Sequence, residues 1–323
     1  MTSINVAGRK MFAGIVAEND HLFRDPNVLS IGIGYKHTRG EESRRLALVV
    51  AVRKKIRNQK TIPAGYRIAR KVKAGRSSPG GRPLFLPTDV IEQKPKRFSA
   101  AAAAVSGAAI QVVGGLTWGT LGGFVRSQNG EDYALTCSHV ATDFGRVTRL
   151  GAPVTCAGDG AVFGRLARYS LLIPGVENWA DVALVRVTSQ GCLSRLATAQ
   201  PAICGLGGPC QVNDPVAIIG AASGKRTGTV TRFAVKECVF GWGGSPGACC
   251  YLAGQIEVSD VGRAGDSGAV AVDARGRAVG LFVADNGVRD LMTPVDRALL
   301  FASKPAAMCC AADDTARLEL SFV

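Results

Sequence analysis

The sequence predicts a mostly β protein preceded by a small α+β region. Three observations carry that expectation. Glycine is abundant, with 40 residues in 323, and the apolar runs are short and glycine-flanked rather than helically spaced. Hydrophobic residues make up 47% of the chain, enough for a full core. The charge is lopsided: residues 1–100 hold 21 Lys and Arg against 7 Asp and Glu, while the rest of the chain is balanced. Such asymmetry marks the N-terminal third as a separate module. The expected division is a basic accessory domain over 1–98, a main domain over 99–305 and a tail over 306–323.

In the N-terminal third, Lys10 to Val16 sets Met11, Phe12, Ile15 and Val16 on one face, a short amphipathic helix. Val28 to Tyr35, Leu46 to Val52 and Phe85 to Glu92 read as strands. Lys54 to Arg82 is basic and rich in Gly, Ser and Pro, and reads as a loop or arm. Arg53, Lys54, Lys55, Arg57 and Lys60 cluster there, as do Arg67, Arg70, Lys71, Lys73 and Arg76. These clusters suit an acidic protein partner, self-association into an oligomer, or nucleic acid; they are equally a solvated face. Tyr66 is the main aromatic among them, which is sparse for base stacking. Ser99 to Ala109, SAAAAAVSGAA, reads as a linker.

The start of the chain lacks the long apolar run of a secretory signal, and Ala100 to Val113 is shorter than a membrane span requires. The expectation is a cytoplasmic protein without membrane contact, whose ten cysteines are buried and reduced. No C-x-x-C pair occurs, and no metal or cofactor is called for.

Gly119 to Val125 reads as a glycine-flanked strand, Asn129-Gly130 as a hairpin turn, and Tyr133 to Thr136 as the returning strand. That strand delivers His139, one of only three histidines and the only one outside the N-terminal third. Asp181 opens the apolar strand DVALVRV, where it either caps the strand or orients an imidazole. The stretch Val261 to Ala269, VGRAGDSGA, is a turn presenting Ser267 between two glycines. A serine hydroxyl becomes a nucleophile only with an adjacent base and N–H donors for the oxyanion it creates.

His139, Asp181 and Ser267 follow one another in LTCSHV, DVALVRV and AGDSGA. Residues 108–302 thereby resemble the chymotrypsin-like (trypsin-fold) serine peptidases, whose LTAAH-type, D-[IV]-A-L and GDSGG motifs come in this order. GAASGKRTGTV at 220–230 and MTPV at 292–295 resemble further segments of bacterial members. The N-terminal third has a looser likeness to intracellular bacterial peptidases and to the plant narrow-leaf proteins. The resemblance implies two six-stranded antiparallel β-barrels with a cleft between them. It implies Ser267 as nucleophile, His139 as base, Asp181 as its orienting acid, and the N–H groups of Gly265 and Ser267 as the oxyanion hole. Asp266 is expected to fix the loop through an ion pair, with Arg263 as one candidate cation. Val261, Val283 and Ala284 are expected to line an apolar primary pocket, without preference for Lys or Arg. Two departures stand out: Ala269 replaces the last glycine of the serine motif, and Gln111 precedes Val112-Val113-Gly114-Gly115, so this segment reads as a first barrel strand rather than an activation site.

The function expected is a cytoplasmic serine endopeptidase acting on protein substrates. The alternatives are a catalytically quiet binding or scaffold protein on the same fold, and a protease recruited by nucleic acid or a partner. The tail could add a strand, occupy the cleft or stay loose.

Overall fold

A computed structural model describes residues 6–38, 41–56, 62, 67–76, 83–98, 109–156, 160–188, 203–245, 247–303 and 319–322. In the N-terminal region, helix α1 (Val6–Glu18) and a 3₁₀ turn (Asp20–Arg24) precede β1 (Val28–Thr38) and β2 (Glu41–Val52). Then come β3 (Lys71–Arg76), β4 (Pro83–Glu92) and the two-residue β5 (Arg97–Phe98). Next follow β6 (Ala109–Val112), β7 (Gly119–Thr120), β8 (Gly123–Ser127), β9 (Asp132–Thr136) and helix α2 (Ser138–Ala141). They lead to β10 (Pro153–Cys156), β11 (Val162–Tyr169), β12 (Glu177–Asn178) and β13 (Ala183–Val187). The remainder holds β14 (Pro215–Gly220), β15 (Gly224–Phe240), β16 (Cys249–Ser259), β17 (Val270–Val272), β18 (Ala278–Asp285) and β19 (Arg289–Pro294). A closing helix (Val295–Ala302) and β20 (Leu320–Phe322) end it.

Two six-stranded units emerge. β6, β8, β9, β10, β11 and β13 belong to one sheet, extended by β7 and edged by β20. β14 to β19 form the second, which closes on itself through β15–β16 pairing. Closure hides strand edges that would otherwise template aggregation. Burial alternates where one face of a strand stays wet, as in β8; β18 instead is buried almost throughout, as its continuous apolar run requires. The hairpin predicted at Asn129-Gly130 joins β8 to β9, with Gly130 at φ +79°. The segment at 220–230 is a hairpin as well, pairing β14 with β15 from Gly220↔Gly224 onward. Val112 ends β6, which pairs with β10 as a first barrel strand should.

The N-terminal strands differ from an isolated module. One edge of β15 pairs first with β14 and then with β1, so β1, β2, β4 and β3 extend the sheet of the second barrel. A register shift between Arg232 and Val235, with Ala234 at φ +51°, accompanies the change of partner. β3 also falls inside the stretch expected to be loop. The boundary expected at residue 99 and the linker over 99–108 lie outside the described residues, as do Arg57, Lys60 and Tyr66. Phe12, Ile15 and Val16 of α1 pack with Ile31, Ile33, Leu48 and Phe233 in a core of their own. Each such burial stabilises by ~1.5–3 kcal/mol. The tail adds a strand: β20 pairs antiparallel with β8.

The expectation that the cysteines are all reduced is corrected. Cys238 and Cys249 form a disulfide across the antiparallel β15–β16 pair, with Cα atoms 5.8 Å apart. Cys137 and Cys250 are free and buried, behaving as small hydrophobes, whereas Cys204 is exposed, against the expectation of burial. Among the described residues no helix is long and apolar enough to cross a membrane.

One buried polar cluster ties the N-terminal region to the second barrel. Lys96, fully buried just before β5, donates to Glu237 Oε2 at 3.0 Å and Glu257 Oε2 at 2.7 Å. Arg232 Nε donates to Glu257 Oε1 at 2.8 Å, so two cations face two carboxylates. Burial pushes the Glu237 carboxyl up, against the pull of Lys96 and Arg232. Burial also disfavours the Glu257 carboxylate, but the charges of Arg232 and Lys96 outweigh it and hold the group well below its usual range. Removing one partner leaves a buried charge uncompensated. Lys96→Met is therefore expected to destabilise the fold by ~3–5 kcal/mol at neutral pH. Without the ammonium, the buried carboxyls hold protons more tightly in the folded than in the unfolded chain. The loss should then shrink as pH falls toward 4.5. Urea unfolding at pH 7 and pH 4.5 checks both; a pH-independent loss would contradict the account.

Candidate active site

Strand β9 ends in buried residues and hands the chain to Cys137, whose extended backbone starts the one-turn helix α2. The turn places His139 inside the protein, fully buried. Asp181 sits between buried Ala180 and Val182, two residues before β13, which pairs directly with β9. The strand pairing brings the two residues together. Asp181 Oδ2 lies 2.5 Å from His139 Nδ1, and Asp181 Oδ1 accepts the His139 backbone N–H at 3.1 Å. The carboxylate thus fixes both the ring and its backbone, leaving Nε2 on the side of the ring away from it. Among the described residues His139 Nε2 has no hydrogen-bond partner, although it is buried.

The serine loop comes from the second barrel and abuts the first. Thr120 N–H donates to Ser267 O at 2.7 Å, and Thr120 Oγ1 donates to Gly265 O at 2.8 Å. Gly268, at φ +97°, lies so close to Thr136 and Thr120 that an added Cβ would meet Thr136 Oγ1 at 2.3 Å. Only glycine satisfies both the conformation and the approach. Gly265 has φ +101°. Neither its N–H nor that of Ser267 has an acceptor among the described residues.

Asp266 does fix the loop, but not through the expected ion pair. Its Oδ1 accepts N–H groups from Ala222 at 2.9 Å and Ser223 at 3.0 Å, and its Oδ2 accepts the Arg263 N–H at 2.8 Å. Arg263 instead bonds Asp260 through its guanidinium. Three amides satisfy a fully buried carboxylate as completely as a cation would. Ser267 Oγ donates to Val283 O at 3.0 Å rather than to the imidazole. The histidine–aspartate pair is formed, and the hydroxyl is turned away from it.

Residues 119–281, just over half of the chain, match the trypsin-like peptidase domain. The chain belongs to the trypsin-like peptidase family. No curated protein matches it. Among solved structures, one similar chain is a glutamic acid-specific serine protease that uses a histidine triad in substrate binding, 18% identical. It covers 60% of this chain and 95% of that one, at a TM-score of 0.44. The Nocardiopsis protease NAPase is 19% identical, with 61% and 95% covered and a TM-score of 0.41. The active form of the Rv3671c protease from M. tuberculosis is 19% identical, with 66% and 84% covered and a TM-score of 0.40.

Three further features of this peptidase domain escaped the sequence reading. First, an aromatic cluster covers the histidine. The Phe98 ring centroid is 5.0 Å from that of His139, and Phe144 lies 5.3 Å from His139 on its other contact. Trp242 packs on both phenylalanines, at 5.5 and 5.9 Å.

Second, Cys137, His139 and Asp181 converge, with one potential ligand atom each within 4.8 Å of the others. Their geometry does not suit a metal ion. The Nδ1–Oδ2 contact leaves no room between its atoms, and Cys137 Sγ donates to Phe282 O at 3.1 Å. Burial, followed by the charge of Asp181, pushes the Cys137 thiol far up, away from the thiolate a metal needs.

Third, Asp290 is buried behind the expected primary pocket. Val261, Val283 and Ala284 are all fully buried. Asp290 Oδ2 accepts the N–H groups of Val261 at 2.5 Å and Gly262 at 2.8 Å, while Oδ1 has no partner among the described residues. Burial pushes this carboxyl up to about 7, opposed by the two N–H bonds and reinforced by the charges of Asp285 and Asp260. An acid raised in the folded state keeps a proton that the unfolded chain releases. Its contribution therefore favours folding below pH 4 and is lost as pH rises to 7. Asp290→Asn, a neutral isostere, is expected to stabilise the protein by ~2–4 kcal/mol at pH 8 and hardly at all at pH 4. Chemical unfolding at the two pH values measures this.

Proposed function

We propose that the protein is a serine endopeptidase working through Ser267, His139 and Asp181. The observation that carries this reading is the His139–Asp181 pair beside a glycine-held Ser267 loop in which the N–H groups of Gly265 and Ser267 have no acceptor among the described residues. Once Ser267 Oγ turns from Val283 O to His139 Nε2, the imidazole takes its proton as Oγ attacks the peptide carbonyl. The negative charge moves to the carbonyl oxygen, where the N–H groups of Gly265 and Ser267 meet it. Each such donor contributes on the order of 3 kcal/mol. His139 then passes the proton to the departing amine, and water, deprotonated by His139, hydrolyses the acyl-serine ester. Asp181 keeps the ring in the tautomer that leaves Nε2 able to accept.

Val261, Val283 and Ala284, all apolar, support a primary pocket that gains by burying small or apolar side chains. Exposed Arg53, Lys54, Lys55, Arg70 and Lys71 support an acidic partner at the N-terminal region.

A fluorophosphonate probe tests the reading. It should form one adduct, mapped to the peptide containing Ser267 by mass spectrometry. Cleavage of a peptide library should favour small or apolar residues at the attacked carbonyl. Absence of any adduct, together with absence of cleavage, would sink it; a library profile dominated by Arg or Lys would overturn the pocket.

A further inference from the structure

β5 is only two residues long, yet it lies at the centre of the candidate cleft. It pairs antiparallel with β18 through Phe98↔Ala284 and Arg97↔Asp285, and parallel with the end of β15 through Arg97↔Phe240. Ala284 directly follows Val283, the residue whose carbonyl holds the Ser267 hydroxyl. An extended peptide in this register therefore sets its next residue opposite Val283, beside Ser267 Oγ. Adding a strand to a sheet edge is a general mode of peptide recognition, with main-chain bonds giving affinity and side-chain pockets giving selectivity.

The side-chain pocket is present too. Phe98 enters a box made by His139, Phe144 and Trp242, the four rings lying 5.0 to 6.1 Å apart. One wall of that box, Phe144, is a bulky residue held at an unfavourable φ of +57°, and the other, Trp242, is set by flanking Gly241 and Gly243 at φ +91° and +66°, values that only glycine adopts freely. Strain of this kind persists where surrounding structure enforces it, and it concentrates at binding sites. The strand is also anchored from behind: Lys96 is buried against Glu237 and Glu257, and Lys96 O accepts the Phe240 N–H at 3.0 Å.

We infer that Arg97–Phe98 occupies the cleft as an internal peptide strand, and that the Phe144–Trp242 box is a subsite for an aromatic side chain immediately preceding the residue whose carbonyl Ser267 attacks. The inference rests on the peptidase reading for the naming of that carbonyl, but the occupancy does not require turnover. Tethered in the same chain, Phe98 competes at high effective concentration against any free peptide. The ligand class is an extended peptide bearing an aromatic residue, and such a peptide must displace β5 to bind. Full burial of Ser267, His139 and Asp181 then follows from self-occlusion rather than from decay of the site.

The test measures binding without chemistry. In a Ser267→Ala background, the affinity of a fluorescein-labelled Lys-Arg-Phe-Ser-Ala peptide is compared with and without Phe98→Ala. Removing the internal aromatic residue should tighten binding at least tenfold, and replacing Phe by Ala in the peptide should cost at least tenfold. Equal affinity for the two proteins, or no binding to either, overturns the proposal. Should Phe98→Ala fold poorly, Arg97→Pro at an exposed position breaks the strand pairing so that Phe98 leaves the box, while the Phe144 and Trp242 walls stay unaltered, and the same outcomes are expected for peptide affinity. Failure of the peptidase reading is seen separately, as absence of the fluorophosphonate adduct on a protein that still binds the peptide.

Discussion

Ser267→Ala is expected to lower kcat/KM for a peptide substrate by about 10^6-fold while leaving the fold in place. The two halves of that statement come from different atoms. The Oγ atom is the only group in the loop able to form an acyl intermediate, so its removal ends covalent catalysis. Its structural role is one hydrogen bond to Val283 O, whose loss costs about 1 kcal/mol. The loop itself is held by the Thr120 contacts and by the three amides on Asp266, none of which involve Oγ. Steady-state kinetics with thermal unfolding of the same sample separates the effects. Undiminished cleavage would mean that another residue is the nucleophile.

Asp181→Asn is expected to cost about 10^4-fold in kcat/KM, most of it in kcat. The carboxylate receives the ring at Nδ1 and the backbone N–H of His139 at once. An amide that keeps the backbone bond through its oxygen must present N–H to Nδ1. The imidazole then carries its proton on Nε2, where it cannot take one from serine. A carboxylate that only held His139 in place would be replaced by Asn with little loss, so a change under tenfold would contradict the assigned role. Peptide binding in the absence of chemistry should be nearly unchanged.

Much of the site was legible because its parts are local. His139 stands at the end of a strand written in five consecutive residues, Asp181 at the start of another, and Ser267 between glycines that only a tight loop needs. The strands and hairpins follow from apolar runs and turn signals of the same short range, whereas their arrangement in two barrels was implied only by the resemblance of the three motifs. What was not legible depends on pairings across the chain. Arg97–Phe98 has no strand signature of its own; it is a strand because Phe240 and Ala284 lie on either side. Asp266 sits near Arg263 in sequence, which suggests an ion pair, but the β14–β15 hairpin delivers two amides first. Cys238 and Cys249 are eleven residues apart and meet only because β15 and β16 run antiparallel in that register. The charge step near residue 100 suggested a separate module; it carries no information about which sheet edge the N-terminal strands would join.

That shared sheet has a consequence for the order of events during synthesis. β1 gains β2 as soon as both are made, but its other edge waits for β15, where Ser30 pairs with Glu237. At about 5–20 residues per second, the partner arrives roughly 10–40 s later. In the interval the intervening strands can assemble the first barrel from contacts among themselves, while the main-chain edge of β1 stays open and Ile31 and Ile33 lack the cover of Phe233. A strand made well before β15 is thus among the last to be enclosed, and a nascent chain stalled before residue 240 would present that edge to whatever binds exposed strands.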